Sequence, residues 1–375
     1  MSIVDTNAAG AEAEPSAAGR RADLDGWLNS VRDRAADHVR EFVRAQCACH
    51  FRGLPDEDFL IDLLTEYGTG GKYLRSTFAY LGWLSAGEPG DTALRAAGST
   101  ELLHAFALVQ DDVMDGSAIR RGRPAAHVRL ADWHRGEGLS GSSERFGTSS
   151  AVLLGDLLLV WAEQLLRESG MATTALDRAW PVYDRMRSEL AVGQFADLLN
   201  DARGFPELDD VLAVARRKSG NYTVRRPLEL GALLAGCDVE VLEVLRRYGT
   251  LVGEAFQLRD DLIGVFGTAS VTGKPGAADL WDRKATTVVV LARDLAAPVA
   301  RERMSELFAA AELDVTDVEQ WRELIASTDA PDRVEELIAD RVAEAQHVVS
   351  SAPLDSFLGE ALADMAVRCT KGEKR

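Results

Sequence analysis

Basic residues are scarce in this chain. Across 375 residues, 42 Lys and Arg stand against 60 Asp and Glu, a formal net charge of −18. That balance argues against a nucleic-acid partner, which favours a basic surface. It also gives no general attraction for anions, so any phosphate site has to bring its own cations. Cysteine is scarce as well: the chain has only Cys47, Cys49, Cys237 and Cys369. So few thiols make no disulfide scaffold, and they fit a reducing, cytoplasmic compartment. Cys47-Ala48-Cys49-His50 has half the look of a metal site but no matching second pair, so these cysteines read as structural. No apolar run is long and uninterrupted enough to span a bilayer, and Asp156 breaks the best one. The first residues lack a basic start followed by an apolar core, so no signal peptide is expected. Runs of β-formers are sparse too. The nearest, Val288-Val289-Val290-Leu291, continues a helical pattern.

What is present is helical. Apolar residues make up 46% of the chain, enough to bury a large core as one or two domains. Ala, Leu, Arg and Glu are abundant at helical spacing, so the expected fold is all-α, a single large bundle with its sites between facing helices. Residues 1–22, rich in Ala, Gly and Glu, are expected to be a disordered tail, 23–370 the folded domain, and 371–375 a short polar tail. Residues 133–150 hold Gly136, Gly138, Gly141 and Gly147 among serines and read as a loop between helices. Gly204-Phe205-Pro206 reads as a helix junction, with Glu207, Asp209 and Asp210 in the turn that follows and Lys218 near the end of the next helix.

The chemistry concentrates in the run from Leu102 to Asp115, which sets Asp111, Asp112 and Asp115 inside an apolar helical pattern. Unpaired buried carboxylates are costly, so such a group needs a cation or a water-filled cleft. On a helix, His104, Leu108, Asp111 and Asp115 lie along one stripe, with Asp112 at its edge. Oxygen ligands on a rigid helix suit Mg²⁺, which keeps several waters and binds carboxylates together with substrate phosphates. A solvated acidic face is the alternative, but aliphatic residues crowd both sides.

A second stretch repeats the design. Gln257, Asp260, Asp261 and Gly264 fall on one stripe of another apolar helix. Facing the first, it makes a cleft able to hold Mg²⁺ and the diphosphate those ions bridge. Basic residues supply the complement: Lys72 and Arg75 after Gly70-Gly71, then Arg120-Arg121, Lys218 beside Ser219, Lys274 and Lys284. Arg binds phosphate through a planar fork, whereas Lys acts as a point charge.

Together these residues resemble the trans-isoprenyl diphosphate synthases, the head-to-tail polyprenyl synthetases, from roughly residue 50 to 350. Asp111-Asp112-Val113-Met114-Asp115 is similar to the family's first aspartate-rich motif, and Arg120-Arg121-Gly122 to the basic sequence after it. Gly70-Gly71-Lys72 with Arg75, Gln194 with Asp197, and Lys218-Ser219 resemble further elements. So do Phe256-Gln257 with Asp260-Asp261, Gly273-Lys274-Pro275, Asp279-Leu280 and Lys284. The resemblance implies one large helical domain around a deep central cavity, and a homodimer. It implies Asp111, Asp115 and Asp260 as Mg²⁺ ligands on an allylic diphosphate that Arg120, Lys218 and Lys274 contact. Lys72, Arg75, His104 and Arg121 would hold isopentenyl diphosphate; Ser219, Gln257 and Lys284 complete the substrate-binding set. The implied reaction ionises the allylic C–O bond, lets the isopentenyl double bond attack, and loses a proton. Phe106 and Ala107, five and four residues before Asp111, resemble the wall of some geranylgeranyl diphosphate synthases, so a product longer than farnesyl diphosphate is expected.

Several positions depart from the pattern. Gly264 stands where a third Asp usually ends the second motif, so Gly264→Asp is expected to tighten Mg²⁺ binding or leave it unchanged. Thr268 replaces a frequent acidic residue, Tyr73 a usual Arg, Ser76 a usual Pro, and Arg283 a common Gly. Two other functions compete. A terpene cyclase would ionise the same substrate class without isopentenyl diphosphate. Its usual second metal triad would begin at Asn200-Asp201, where Gly204 and Leu208 occupy the needed positions. A non-catalytic subunit could lose acidic residues without penalty, but the first motif is intact.

Overall fold

The computed structural model describes residues 17–203, 205–267 and 276–371; side chains are described from Leu24 on, except those of 201–203, Lys218 and Ser219. The described chain is helical apart from one small hairpin. In order come α1 (Ala17–His50), α2 (Glu57–Thr69), α3 (Leu74–Trp83) and α4 (Asp91–Met114). The hairpin β1 (Ile119–Arg120) and β2 (Arg123–Pro124) precedes α5 (Ala126–Gly136), α6 (Ser143–Arg167), α7 (Thr173–Arg203) and α8 (Leu208–Ala215). A π-helical segment, Arg216–Arg225, leads into α9 (Arg226–Ala235) and α10 (Val239–Phe266). Then follow α11 (Ala278–Trp281), α12 (Thr287–Leu295), α13 (Pro298–Ala309), α14 (Val315–Ala326), α15 (Ala330–Ser350) and α16 (Ser356–Arg368).

Three of the hydrophobic cores organise the fold, and the second and third of them meet along α10. One is built by α1, α4, α6 and α7 around Val39, Leu102, Leu158, Trp161 and Tyr183. Another sets α3 and α9 against the first half of α10 and the inner faces of α15 and α16. The second half of α10 packs through Leu258, Leu262 and Val265 onto α12 to α15. The acidic end of α10 is therefore clamped on its apolar side, and its remaining face is free to line a cleft.

The chain departs from expectation in four places. α1 already begins at Ala17, inside the stretch expected to be tail. The loop expected over 133–150 is only the short connection between Gly136 and Ser143. Ser142 starts α6 by accepting the Arg145 N–H at 3.2 Å, and Gly147 sits where the backbone of α5 passes too closely for any side chain. Lys218 does not end a helix, since helical backbone runs on from Leu208 to Ala235 with a change of pitch. Finally, α6 runs unbroken through Asp156 and is long and apolar enough, by length and composition, to cross a membrane. It buries Leu158, Trp161, Ala162 and Leu165 in the core and packs on α4 and α5, as a core helix does.

The π segment has a packing reason. The N–H of Arg226 reaches the carbonyl of Asn221, five residues back, which widens the turn. Gly220 on that turn meets Gly253 of α10 backbone to backbone. A Cβ at Gly253 would lie 2.7 Å from Gly220 C and 2.9 Å from its Cα, closer than such atoms approach. Gly253→Ala is therefore expected to cost about 1–3 kcal/mol in urea unfolding, as overpacking does. Gly359→Ala, on α16 with nothing within 4 Å, is the control and should be neutral or stabilising.

Candidate active site

α4 and α10 bring their acidic residues to one cavity of about 710 Å³. Asp111, Asp260, Asp261, Gln257, His104 and Ala107 all line it. The two acidic pairs are built alike, because in each the second Asp is consumed by structure. Asp112 is fully buried, accepting the Arg120 Nε at 2.8 Å and the Tyr67 hydroxyl at 3.4 Å. It stands behind the cleft-facing stripe rather than at its edge. Asp261 is buried too. It accepts Gln257 Nε2 at 2.7 Å and the Thr287 N–H at 2.9 Å, and so caps α12 from across the fold. Burial pushes its carboxyl up to about 6, against those hydrogen bonds.

Arg120 also reaches Asp111, Nη2 to Oδ2 at 3.3 Å, so one guanidinium ties both carboxylates of the first pair. Asp115 follows α4 as its C-terminal cap, its N–H on the Asp111 carbonyl at 2.8 Å. It is not on the cavity wall. Its carboxylate holds Lys284 Nζ at 2.6 Å, and Lys284 lines the cavity. Burial works against the Lys284 ammonium, but Asp115, Asp111 and Asp279 outweigh it and raise its proton affinity above the usual value. Lys284 is therefore a fixed cation across physiological pH.

The hairpin aims the other cations. Arg120 pairs with Arg123 across a two-residue turn whose central residues, Arg121 (φ 53°) and Gly122 (φ 74°), both have left-handed backbone, as a type I′ turn needs. The turn lays the Arg121 guanidinium over Gly70 and Gly71, and a Cβ on Gly71 would sit 2.7 Å from its Nη2. The glycine pair of the first basic motif thus makes room for an arginine from the second. His104 lies below. Burial, then the charges of Arg75, Arg121 and Arg120, hold its proton affinity well under the ordinary histidine range, so the ring is neutral at pH 7. Its Nδ1 has no protein partner, and neither do Arg75 Nε, Gln194 Nε2 and Gln257 Oε1. Buried polar atoms are rarely left so, and here all four side chains line the cavity.

Of the remaining expected residues, Lys72, Arg75, Arg120 and Arg121 line the cavity, and Phe106 packs against the core instead. Lys274 and Thr268 lie outside the described residues, as do the side chains of Lys218 and Ser219. Three departures have local reasons. Ser76 supplies an N–H to buried Glu101 at 2.8 Å, which proline could not do. Tyr73 sits in left-handed backbone (φ 54°) and donates its hydroxyl to the Gly68 carbonyl at 2.9 Å. Arg283 is also left-handed (φ 51°), and its guanidinium holds the carbonyls of Ala310 and Ala311 just beyond α13.

Gly264 is more crowded than its sequence suggests. A side chain there would overlap the carboxylate of Asp279 on α11, with even the farther oxygen at 3.0 Å from a Cβ. Gly264→Asp therefore adds a ligand only where the Asp279 carboxylate swings aside. The residue leaves room for Asp279, which itself lines the cavity.

Asp279, Tyr222 and Thr223 had no role in the sequence reading, yet all three line the cavity. Asp279 is named only as part of the Asp279-Leu280 element, and its position against Gly264 follows from the fold alone. Tyr222 and Thr223 lie on the π segment, where a period of about 3.6 misplaces the faces. Among the described residues no three carboxylate, His or Cys groups close tightly enough to hold a metal ion unaided.

The sequence pattern of the polyprenyl synthetase family matches residues 58–325. A geranylgeranyl diphosphate synthase of Mycobacterium tuberculosis is 34% identical over 298 residues, 79% of this chain and 78% of that one. A geranylfarnesyl diphosphate synthase of Aeropyrum pernix is 31% identical over 289 residues, 76% of this chain and 84% of its own length. The crystal structure of a geranylgeranyl pyrophosphate synthase from Corynebacterium glutamicum, complexed with isoprenyl diphosphate and magnesium, superposes with a TM-score of 0.86 at 33% identity. The match covers 93% of this chain and 99% of that one.

The crowding at Gly264 is directly testable. Gly264→Ala is expected to destabilise the fold by about 1–3 kcal/mol. In an Asp279→Ala background the same change should cost much less, a coupling that a double-mutant cycle in urea unfolding reads directly. A neutral Gly264→Ala would show that Asp279 moves aside freely.

Proposed function

The chain belongs to the polyprenyl synthetase family, and from that premise we propose that it joins isopentenyl diphosphate head-to-tail to an allylic diphosphate, yielding geranylgeranyl diphosphate. The observation that carries this reading is the meeting of Asp111 and Asp260, from two different helices, on one cavity that Lys72, Arg75, Arg120 and Arg121 also line. We take residues 23–370 as the single domain that does this work. Two acidic helices lining one cavity can share a cation beyond the Arg120 and Lys284 already paired there. Mg²⁺ suits such a cleft, since it binds through one or two carboxylates and completes its shell with water and diphosphate oxygens.

In this reading Asp111, Asp115 and Asp260 would hold Mg²⁺, which requires the Asp115 carboxylate to exchange its Lys284 partner for the ion. When bound, the ion supplies charge against a diphosphate leaving an allylic carbon. The chain's own groups do the rest. Arg120, Lys218 and Lys274 are assigned to the allylic diphosphate, and Ser219 and Gln257 to the same substrate-binding set. Lys72, Arg75, His104 and Arg121 bind isopentenyl diphosphate, and the neutral imidazole of His104 donates a hydrogen bond without adding charge. Ala107, Leu108, Leu190, Val211 and Val214 form an apolar wall that keeps water from the cationic carbon.

Isopentenyl diphosphate binding separates condensation from cyclisation, and the cations in the cleft supply what a cyclase would not need. We place a second copy of the chain on the outer face of α6 and α7. There Leu153 (68% exposed), Val160 (61%) and Phe195 (64%) lie bare on neighbouring helices, a waste of apolar surface in a monomer.

The first test is incubation with Mg²⁺ and an allylic diphosphate, with and without isopentenyl diphosphate. A longer prenyl diphosphate should form only with both. Asp111→Ala and Asp115→Ala should each lower turnover by about a hundredfold or more. Near-normal turnover in either would sink the assignment. The second test concerns length. Ala107 lines the cavity four residues before Asp111, so Ala107→Phe should shorten the product by filling the wall. Chromatography of the dephosphorylated alcohols reads this, and an unchanged length would remove Ala107 from the pocket's limits.

A further inference from the structure

Arg75 is held by two consecutive residues of the π segment. Its Nη2 donates to Thr223 Oγ1 at 2.9 Å, and its guanidinium carbon lies 4.4 Å from the centre of the Tyr222 ring. Tyr222 and Thr223 are both buried, 3% and 0% exposed. The partners are 148 positions apart in the chain for the hydrogen bond, so this is a tertiary arrangement and not a local turn. The Tyr222 ring also neighbours His104, centroid to centroid 6.3 Å. One face of the guanidinium is thus covered by an aromatic ring and one nitrogen is tied to a hydroxyl. The Nε edge has no protein partner, and the side chain lines the cavity.

An arginine side chain is long and loses much rotamer freedom when it binds an anion. Its fork recognises phosphate bidentately only when its plane is correctly turned. A ring below and a hydroxyl at one end fix that plane before any ligand arrives, so less ordering is left for binding. Two adjacent side chains reach one guanidinium because the widened helical turn alters where successive residues point.

We propose that Tyr222 and Thr223 are positioning residues that pre-set the Arg75 guanidinium for the isopentenyl diphosphate. The inference rests on the functional reading above for the role of Arg75. The π segment that begins at Arg216 thereby acts on the isopentenyl diphosphate through Arg75.

Steady-state kinetics with each substrate varied in turn tests this, with equilibrium dialysis of isopentenyl diphosphate as a readout independent of turnover. Thr223→Val keeps the side-chain shape and removes the hydroxyl. It should raise the KM and dissociation constant for isopentenyl diphosphate about tenfold, the scale of one hydrogen bond from a charged donor. The kcat and the allylic KM should stay within about twofold. Thr223→Ser should restore the wild-type values. Tyr222→Phe, which keeps the ring, should bind isopentenyl diphosphate normally, and Tyr222→Leu should not. In an Arg75→Ala background, Thr223→Val should change nothing further. A Thr223→Val enzyme with both KM values raised alike, or with its effect undiminished beside Arg75→Ala, overturns the proposal. A tenfold rise with Arg75→Ala but none with Thr223→Val overturns the positioning role alone. An Arg75→Ala enzyme with unchanged isopentenyl diphosphate affinity overturns both that role and the part given to Arg75.

Discussion

A carboxylate cannot be buried without compensation, and the whole cleft is arranged around that constraint. Asp112 and Asp261 sit in the interior, and each is tied to another element: Asp112 to Tyr67 of α2 and Arg120 of the hairpin, Asp261 to the N–H of Thr287 at the start of α12, with Gln257 one turn back on its own helix adding a second bond. Satisfying them fixes the rotation of α4 and α10 about their own axes. That rotation is what turns Asp111 and Asp260 toward the cavity. Each acidic pair is one structural anchor and one working group, and the anchor gives the working group its direction. The hairpin after α4 belongs to the same arrangement. Its tight turn returns Arg120 to the carboxylates and sends Arg121 across to the glycines ahead of α3.

Much of this was legible in the sequence. Helical periodicity placed Asp111 and Asp260 on cleft-facing stripes, and the apolar flanks of both motifs announced burial on the opposite side. The motif resemblance assembled Lys72, Arg75, His104, Arg120 and Arg121, and the fold gathers all five on the cavity wall. What stayed hidden depends on contacts between distant segments. Nothing about the residue Gly264 tells that Asp279 fills the space above it. Nothing in Asp115 foretells that its carboxylate meets Lys284. The π segment was hidden for a different reason. Reading faces from a sequence assumes one pitch, and the Gly220–Gly253 contact changes that pitch just where Tyr222 and Thr223 turn toward Arg75.

The departures from the family pattern form a second theme. Position 264 lacks a carboxylate, and Asp279 stands over it. Position 76 lacks a proline, and the recovered N–H serves Glu101. Position 283 lacks a glycine, and the arginine there holds two carbonyls across the gap to α13. In each case the substituted residue is matched by a neighbour that uses what the substitution frees. Local strain or lost charge at one site is offset by a specific contact, so these positions are best altered in pairs.

The contrast between the cleft and the rest of the chain sets how a substrate reaches it. A diphosphate approaching from afar meets a body with a net charge of −18, whereas at the mouth it meets Lys72, Arg75, Arg120 and Arg121. Those two fields have different ranges. At an ionic strength of 0.1 M, charges separated by more than about 10 Å are largely screened from each other. Added salt therefore removes the distant repulsion first and leaves the close attraction in place. Most anion-binding proteins capture their ligands fastest in dilute buffer; the opposed signs of body and cleft here call instead for an encounter that quickens as salt is first raised.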